Sequence, residues 1–228
     1  MRFLSATILA FTILAISACS VQQIQKTVDG YLKDAKPTTE EVASGLKEAL
    51  EKGITNGAKK ASAVDGYFKN PAIKIPFPPD VRKVETKLRQ LGMDKQVDQF
   101  IETLNRGAEE AAKQAAPIFV SAIKQMTIND AWNILKGDKD AATQYLQKTT
   151  TSQLEAKFKP VIQKALDKVN ATKYYGDLVN TYNKIPLVDK VNPDLNDYAT
   201  TLAIDGLFKL VAQEEANIRN NPGARTTE

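Results

Sequence analysis

Apolar residues recur at helical spacing along most of the chain after residue 38, and this periodicity restricts the fold more than any other feature. The clearest run has spacings of 4-3-4-3-4-3 and consists of Val97, Ile101, Leu104, Ala108, Ala111, Ala115 and Ile118. Such a seam lies on one face of a helix, and its alanines allow a partner helix to approach closely. We predict that Pro117 kinks or splits this helix.

The same spacing predicts helices along the rest of residues 38–228, and no segment alternates with period two. The first predicted helix, of about 39–61, starts at Thr38–Glu41, and another covers 81–91. A further helix is capped by Thr127 and has Ile128, Trp132 and Leu135 on its apolar face, and the next is opened by Asp138. A separate helix covers 154–169 with a kink at Pro160, and a last long one follows Pro193. Residues 202–211 are apolar nearly all round, so the last helix is expected at the centre. We therefore predict a single compact all-α domain.

One stretch, residues 70–79 (NPAIKIPFPP), breaks the helical pattern because its four prolines disfavour a helix. An extended path places Ile73, Ile75 and Phe77 on one side. We call residues 70–79 the strap. Two interpretations remain open: the three side chains pack across the helical core, or they form a recognition loop that contacts a partner.

The N-terminus predicts export. Arg2 precedes the apolar stretch Phe3–Ile16, which is short for a membrane span and lacks a basic stop-transfer flank, so residues 1–18 are predicted to be a removable signal peptide. Ile16-Ser17-Ala18-Cys19 resembles the bacterial lipobox, which implies a lipidated Cys19 followed by a tether to residue 37. The alternative is an ordinary signal peptide that leaves a free cysteine. Ser20 in place of Asp favours the outer over the inner membrane, on the periplasmic side.

Composition excludes most enzyme chemistry. The chain has no His and one Cys, which removes His-based triads and Cys-rich zinc sites. No nucleotide-binding or nucleophile motif is present. Asp138 is interpreted as a helix cap, and the acidic pairs at 109–110 and 214–215 as solvated. We predict no catalytic residues, no metal and no cofactor.

The charge balance argues against nucleic acid as a partner. The net charge is +4, and it falls to +3 when residues 1–18 are removed, because Arg2 is the one charged residue lost. This excess is too small for a chain that neutralises many phosphates.

Two short pairs of segments hint at an internal duplication. Residues 49–52 (ALEK) resemble 165–168 (ALDK), and residues 74–77 (KIPF) resemble 184–187 (KIPL). Each match is short, so duplication stays one of two possibilities.

Several separated motifs occur in an order that resembles the bacterial family catalogued as domain of unknown function 4197. They are the sequence NPAIKIP at 70–76, Ile134-Leu135-x-Gly137, Ala141-Ala142-Thr143-x-Tyr145-Leu146, Asp205-Gly206-Leu207-Phe208, Glu214-Glu215, Ile218-Arg219 and Asn221-Pro222-x-x-Arg225. The resemblance spans about residues 38–228 and implies an exported helical domain of Gram-negative bacteria, with no function or catalytic residues to carry over. Family members usually continue with a short apolar helix, so a truncated C-terminus is one expectation.

Two functions fit these predictions. The first is a lipid-anchored, non-enzymatic module of the periplasm that binds an envelope protein or a second copy of itself. The alternative is a helical carrier that holds a lipid or another amphiphile in an internal pocket lined by Trp132, Tyr174, Tyr175 and Phe208.

Overall fold

The computed structural model describes residues 37–184, 186–187, 190–192 and 194–221. Within these ranges the chain forms helices, turns and loops but no strand, which confirms the predicted all-α fold. A short 3-10 helix, Pro79–Val81, precedes the second of eight α-helices in this part of the chain. These are α1 Thr39–Ser62, α2 Arg82–Gln90, α3 Asp94–Ala112, α4 Ala115–Gln125, α5 Ile128–Lys136, α6 Ala141–Asp167, α7 Ala171–Tyr182 and α8 Leu195–Asn220.

The chain divides into two compact units, Met1–Glu41 and Val42–Glu228. In the first unit the described residues are 37–41, where α1 begins. Thr38 Oγ1 accepts a hydrogen bond from the Glu41 backbone N–H at 3.2 Å, and the Glu41 carboxylate accepts from the Thr38 N–H at 2.7 Å. This reciprocal pair caps the helix at the predicted start. The second unit contains the rest of α1 and the other helices.

In the second unit α6 packs against five other helices, α3, α4, α5, α7 and α8. The buried side chains of α6 recur every four residues. Because four residues are slightly more than one helical turn, the stripe that they form winds around the helix and successive side chains face different neighbours. We predicted the central position for α8, which packs against α3, α6 and α7 and also approaches α1, where a Cβ on Gly53 would lie 2.8 Å from Ile218 Cδ1. Both helices are core elements, and the buried stripe of α6 consists of Leu146, Thr150, Leu154, Phe158, Ile162 and Leu166.

The prediction of two separate helices in this region was wrong, because α6 continues from Ala141 to Asp167 through Pro160. Residues 149–152 (TTTS) lie between the two predicted helices. In the structure Thr149, Thr150 and Thr151 donate their hydroxyl hydrogens to carbonyls four residues earlier, at 2.9, 2.6 and 2.7 Å. Because these bonds satisfy the hydroxyls inside a helix, the threonines can continue it.

The seam that starts at Val97 is divided between two helices. The break lies at residues 113–114, and Pro117 sits in the first turn of α4, where its missing N–H costs no intrahelical bond. Leu104, Ala108 and Ala111 are fully buried. The partner helix of the seam region is α6, since a Cβ added to Gly107 would lie 3.2 Å from the Ala165 Cβ.

The strap lies across the helices with its apolar side chains inward. Ile73, Ile75 and Phe77 are 4%, 0% and 8% exposed. Fully burying such a side chain contributes about 1.5–3 kcal/mol. The side chains are therefore turned away from any partner, which corrects their placement among possible partner contacts. In the similar segment near residue 187, Leu187 is fully exposed, whereas the corresponding Phe77 is buried. Ile185 lies outside the described residues.

The strap approaches α8 at Gly206. A Cβ at this position would lie 2.9 Å from Tyr67 Cε1 and 3.1 Å from Ile73 Cβ. Tyr67 is fully buried, and its hydroxyl donates to the Ala203 carbonyl at 2.6 Å. The close approach therefore requires glycine.

None of the helices that the structure describes is both long enough and apolar enough to cross a membrane.

Candidate functional site

A buried polar cluster on α3 surrounds Glu109, which is 5% exposed. Its Oε1 accepts the backbone N–H groups of Tyr67 and Phe68, each at 3.1 Å, and its Oε2 accepts from Arg106 at 2.7 Å. Arg106 also donates to Asp65 at 2.8 Å. The hydrogen bond to Glu109, followed by that to Asp65, raises the pKa of the Arg106 guanidinium. The cluster attaches the loop after α1 to α3.

A second buried carboxylate, Glu215 of α8, caps the N-terminus of α6. It is 2% exposed and accepts the N–H groups of Ala142 and Thr143 at 3.0 and 2.8 Å, together with the Thr143 hydroxyl at 2.8 Å. Arg219 donates to Glu215 at 2.8 Å and to the Ile134 carbonyl at 3.0 Å. A carboxylate at this position satisfies unpaired N–H groups and complements the helix dipole. The pair thereby connects α8 to α5 and α6.

These contacts correct two predictions. Three of the four acidic residues expected to be solvated are buried, namely Glu109, Glu214 and Glu215, and Glu110 is exposed. Asp138 was predicted to cap α6. The residue that directly precedes α6 is instead Asp140, and its side chain makes no capping hydrogen bond. The carboxylate that caps α6 belongs to Glu215, which lies 73 residues after Ala142 in the chain.

The spacing of apolar residues in α8 indicates that Glu215 lies on the buried face of the helix. Phe208, Val211, Glu215 and Ile218 follow one another at spacings of three and four residues, which places all four on one face. On α3, Asn105 likewise lies next to the seam residue Leu104. A polar residue in or beside a buried stripe indicates a specific interior hydrogen bond.

An open groove of about 660 Å³ lies between α6 and α8. Asn196 is 6% exposed and donates to the Lys159 carbonyl at 3.2 Å and to Gln163 Oε1 at 2.8 Å. Asp197 pairs with the Lys159 ammonium at 3.2 Å. These polar groups attach α8 to α6. The lining residues are Ser152, Glu155, Ala156, Lys159, Pro160, Gln163, Asn196, Asp197, Thr200 and Thr201.

The outer side of α5 exposes apolar side chains. Ala131 and Ile134 face the core, while Ile128 and Leu135 are 44% and 42% exposed and Trp132 is half-buried. We call Ile128, Trp132 and Leu135 the α5 face. They were predicted to form the apolar face of this helix, and the helix instead packs through its Ala131–Ile134 edge.

Trp132 occupies an unusual environment on the α5 face. Its indole Nε1 is buried and has no hydrogen-bond partner among the described residues. The Lys136 ammonium lies 4.9 Å from the centroid of the ring, a cation–π distance.

The four residues predicted to line a carrier pocket lie in different environments. Tyr174 is 68% exposed, and the Tyr175 hydroxyl lies 3.4 Å from the Asn192 carbonyl that accepts its hydrogen bond. Phe208 is buried against Phe119, with ring centroids 5.8 Å apart. None of these residues, nor Trp132, lines the groove between α6 and α8.

Over the described part of the chain, no group of three or more Asp, Glu or Cys side chains is placed to hold a metal ion.

A family model described as a protein of unknown function, DUF4197, matches residues 36–228. The matched range includes all the helices from α1 to α8. The chain belongs to this family. No curated protein and no solved structure matches the chain.

The DUF4197 match begins after the predicted anchor. Cys19 precedes residue 36, so it lies outside the matched range and outside the described residues. The helical domain and the N-terminal segment are therefore separate features of this DUF4197 member, and lipidation of Cys19 stays a prediction.

Proposed function

We propose that the chain is a lipid-anchored domain on the periplasmic side of the bacterial envelope and that it acts by binding rather than by catalysis. The observation that carries this proposal is the position of Cys19, the one Cys of the chain, directly after Ser17-Ala18 at the end of an apolar run. The thioether-linked diacylglyceryl group and the N-acyl chain of a lipoprotein provide a stable anchor, whereas a single acyl chain binds only marginally. Ser20 favours the outer membrane.

The hydrogen bonding of the buried carboxylates favours a structural over a catalytic role for these residues. A catalytic acid or base must face a substrate within hydrogen-bond reach. Glu109 and Glu215 instead accept from backbone N–H groups and pair with arginines of their own helices. Their acceptor positions are therefore occupied by contacts that hold the helices together.

The exposed surface of the domain is the part left for a partner. The three apolar side chains of the strap face inward. The groove between α6 and α8 is open rather than enclosed, and none of the four residues predicted to line a carrier pocket lies on it, so it gives no support to the carrier. Partner contacts are therefore expected on the outer faces of the helices.

Acyl labelling of the full chain tests the anchor. In a Gram-negative host fed with an alkyne-tagged fatty acid, we expect the wild-type protein to be labelled and to fractionate with membranes. Cys19→Ala removes the thiol that receives the diacylglyceryl group, so we expect loss of the label and release to the soluble periplasm. Ser17→Ala keeps a small residue and is the matched control. A wild-type protein without label would contradict the anchor.

A further inference from the structure

The α5 face is an apolar surface that the described part of the chain leaves partly exposed. Its three side chains stand at positions i, i+4 and i+7 of a nine-residue helix, which places them along one side. Trp132 is the one Trp of the chain. The helix is held in place by Thr127 and Asp130, which form a capping box at its N-terminus, and by Arg219, which binds the Ile134 carbonyl.

The chemistry of the α5 face matches the boundary between lipid and water. Exposed apolar side chains of an amphipathic helix insert at this boundary, and here they stand beside the Trp132 ring, whose Nε1 is buried in the protein. Lys136 lies over the Trp132 ring, and long lysine side chains can bury their methylene groups while the ammonium reaches the headgroups. Lys139 is close to Asp138 and Asp140 in the sequence, so the local charge is nearly balanced. The dominant contribution to membrane binding by the α5 face is then the insertion of apolar side chains, and not attraction to anionic lipid.

The area of the α5 face argues against a protein partner that binds through this face alone. A stable protein interface buries about 800 Å² on each partner. Two aliphatic side chains that are 44% and 42% exposed, with one half-buried indole beside them, present much less. Such a patch can still strengthen binding to a surface that is already held close.

The proposed anchor supplies that proximity. Residues 20–37 separate Cys19 from Thr38, and an extended chain spans at most about 3.6 Å per residue, so the bilayer lies within about 70 Å of α1. A second contact made through a tether benefits from a high effective concentration.

We propose that the α5 face lies on the bilayer into which lipidated Cys19 inserts. The contact rests on the proposed function, because without the anchor the patch is too small to hold the domain on a membrane. It gives the domain a preferred orientation, with the exposed side chains of Ile128 and Leu135 in the outer part of the acyl-chain region and the half-buried Trp132 beside them.

Fluorescence of Trp132 tests the contact, because all tryptophan emission of the protein comes from α5. The lipidated full chain is reconstituted into phosphatidylcholine vesicles with and without bromine on the acyl chains. We expect brominated lipid to quench Trp132 by several-fold, at low and at raised salt. The double variant Ile128→Glu, Leu135→Gln changes two exposed positions, and we expect most of the quenching to be lost.

Leu91→Gln is the matched control, since Leu91 is 66% exposed and lies in the turn between α2 and α3. We expect it to leave the quenching unchanged. Circular dichroism and the urea midpoint verify that all variants are folded.

Two results would overturn the proposal: no quenching in the acylated wild-type protein, or equal quenching in the double variant. If the acylated wild-type protein shows no quenching, crosslinking of two copies through α5 would assign the face to self-association. A protein that carries no acyl chain is a failure of the anchor and is identified by the labelling of Cys19. The two failures are therefore distinguishable.

Discussion

At the scale of single residues, Asn105 attaches the strap to α3. It is fully buried, its Oδ1 accepts the Ile75 N–H at 2.8 Å, and its Nδ2 donates to the carbonyls of Ile75 and Ile101 at 2.8 Å. Asn105→Ala leaves the buried groups of Ile75 unpaired. We expect the free energy of unfolding in urea to fall by about 1–3 kcal/mol. Asn133→Ala, at an exposed position of α5, is the control, and an equal effect of the two would contradict the role of Asn105.

Gly206 is the residue of α8 against which the strap packs. Gly206→Ala places a Cβ 2.9 Å from Tyr67 Cε1 and 3.1 Å from Ile73 Cβ, and both neighbours are buried and fixed. Overpacking of this kind costs about 1–3 kcal/mol, so we expect a lower melting temperature. Gly176→Ala in α7 meets nothing within 4 Å, and we expect it to stabilise the helix by up to about 1 kcal/mol. Effects of the same sign and size at the two glycines would show that the close approach is not the cause.

At the scale of helices, Glu215 joins α8 to the start of α6. Glu215→Gln removes the charge and replaces one acceptor oxygen with an N–H₂ group that cannot accept from Ala142 or Thr143. We expect a loss of about 1.5–3 kcal/mol of unfolding free energy, the range for hydrogen bonds to charged groups. Hydrogen exchange at the Ala142 and Thr143 N–H groups should accelerate. Glu110→Gln, at an exposed position, is the control, and unchanged exchange in Glu215→Gln would contradict the capping role.

The capping box of α5 predicts a pH dependence. Hydrogen bonds from the Thr127 hydroxyl and N–H lower the pKa of Asp130 below its usual 3.8. A carboxylate with a depressed folded pKa contributes stability that is present above the unfolded value and is lost as the pH falls through the folded one. Wild-type protein should therefore be more stable than Asp130→Asn above pH 3.8, and the difference should shrink at lower pH.

Urea titrations monitored by Trp132 fluorescence, between about pH 5 and pH 2, follow this difference. Asp138→Asn is the control at an exposed carboxylate. A difference between wild-type protein and Asp130→Asn that stays constant over this range would contradict the assignment.

Local patterns predicted the elements better than the contacts between them. The start of α1, the seam of α3 and the apolar middle of α8 follow from spacing within one helix. The continuity of α6 did not follow, because the hydroxyls of Thr149–Thr151 can either end a helix or bond back to it. The cap of α6 by Glu215 depends on a residue that is distant in sequence, and no local pattern identifies such a partner.

At the scale of the molecule, the predicted site residues separate into three groups. The structure places Ile73, Ile75 and Phe77 in the core. Alternation specifies that the three side chains share one side of the strap, but it does not specify whether that side faces the core or the solvent. Trp132, Tyr174, Tyr175 and Phe208 were predicted to line one pocket but lie in different environments, with Tyr174 exposed and Phe208 buried, because residue type alone does not specify where the fold places an aromatic side chain. Cys19 lies outside the described residues, and its lipidation is a prediction from the sequence.

Lipid anchoring at Cys19 is measured most directly by intact-mass spectrometry of the protein extracted from membranes with detergent. We predict a mature chain that begins at Cys19 and carries a diacylglyceryl group and an N-acyl chain on that residue, with fragment ions that place both groups there. A chain that retains residues 1–18, or one whose Cys19 is absent or has a free thiol, would contradict the prediction.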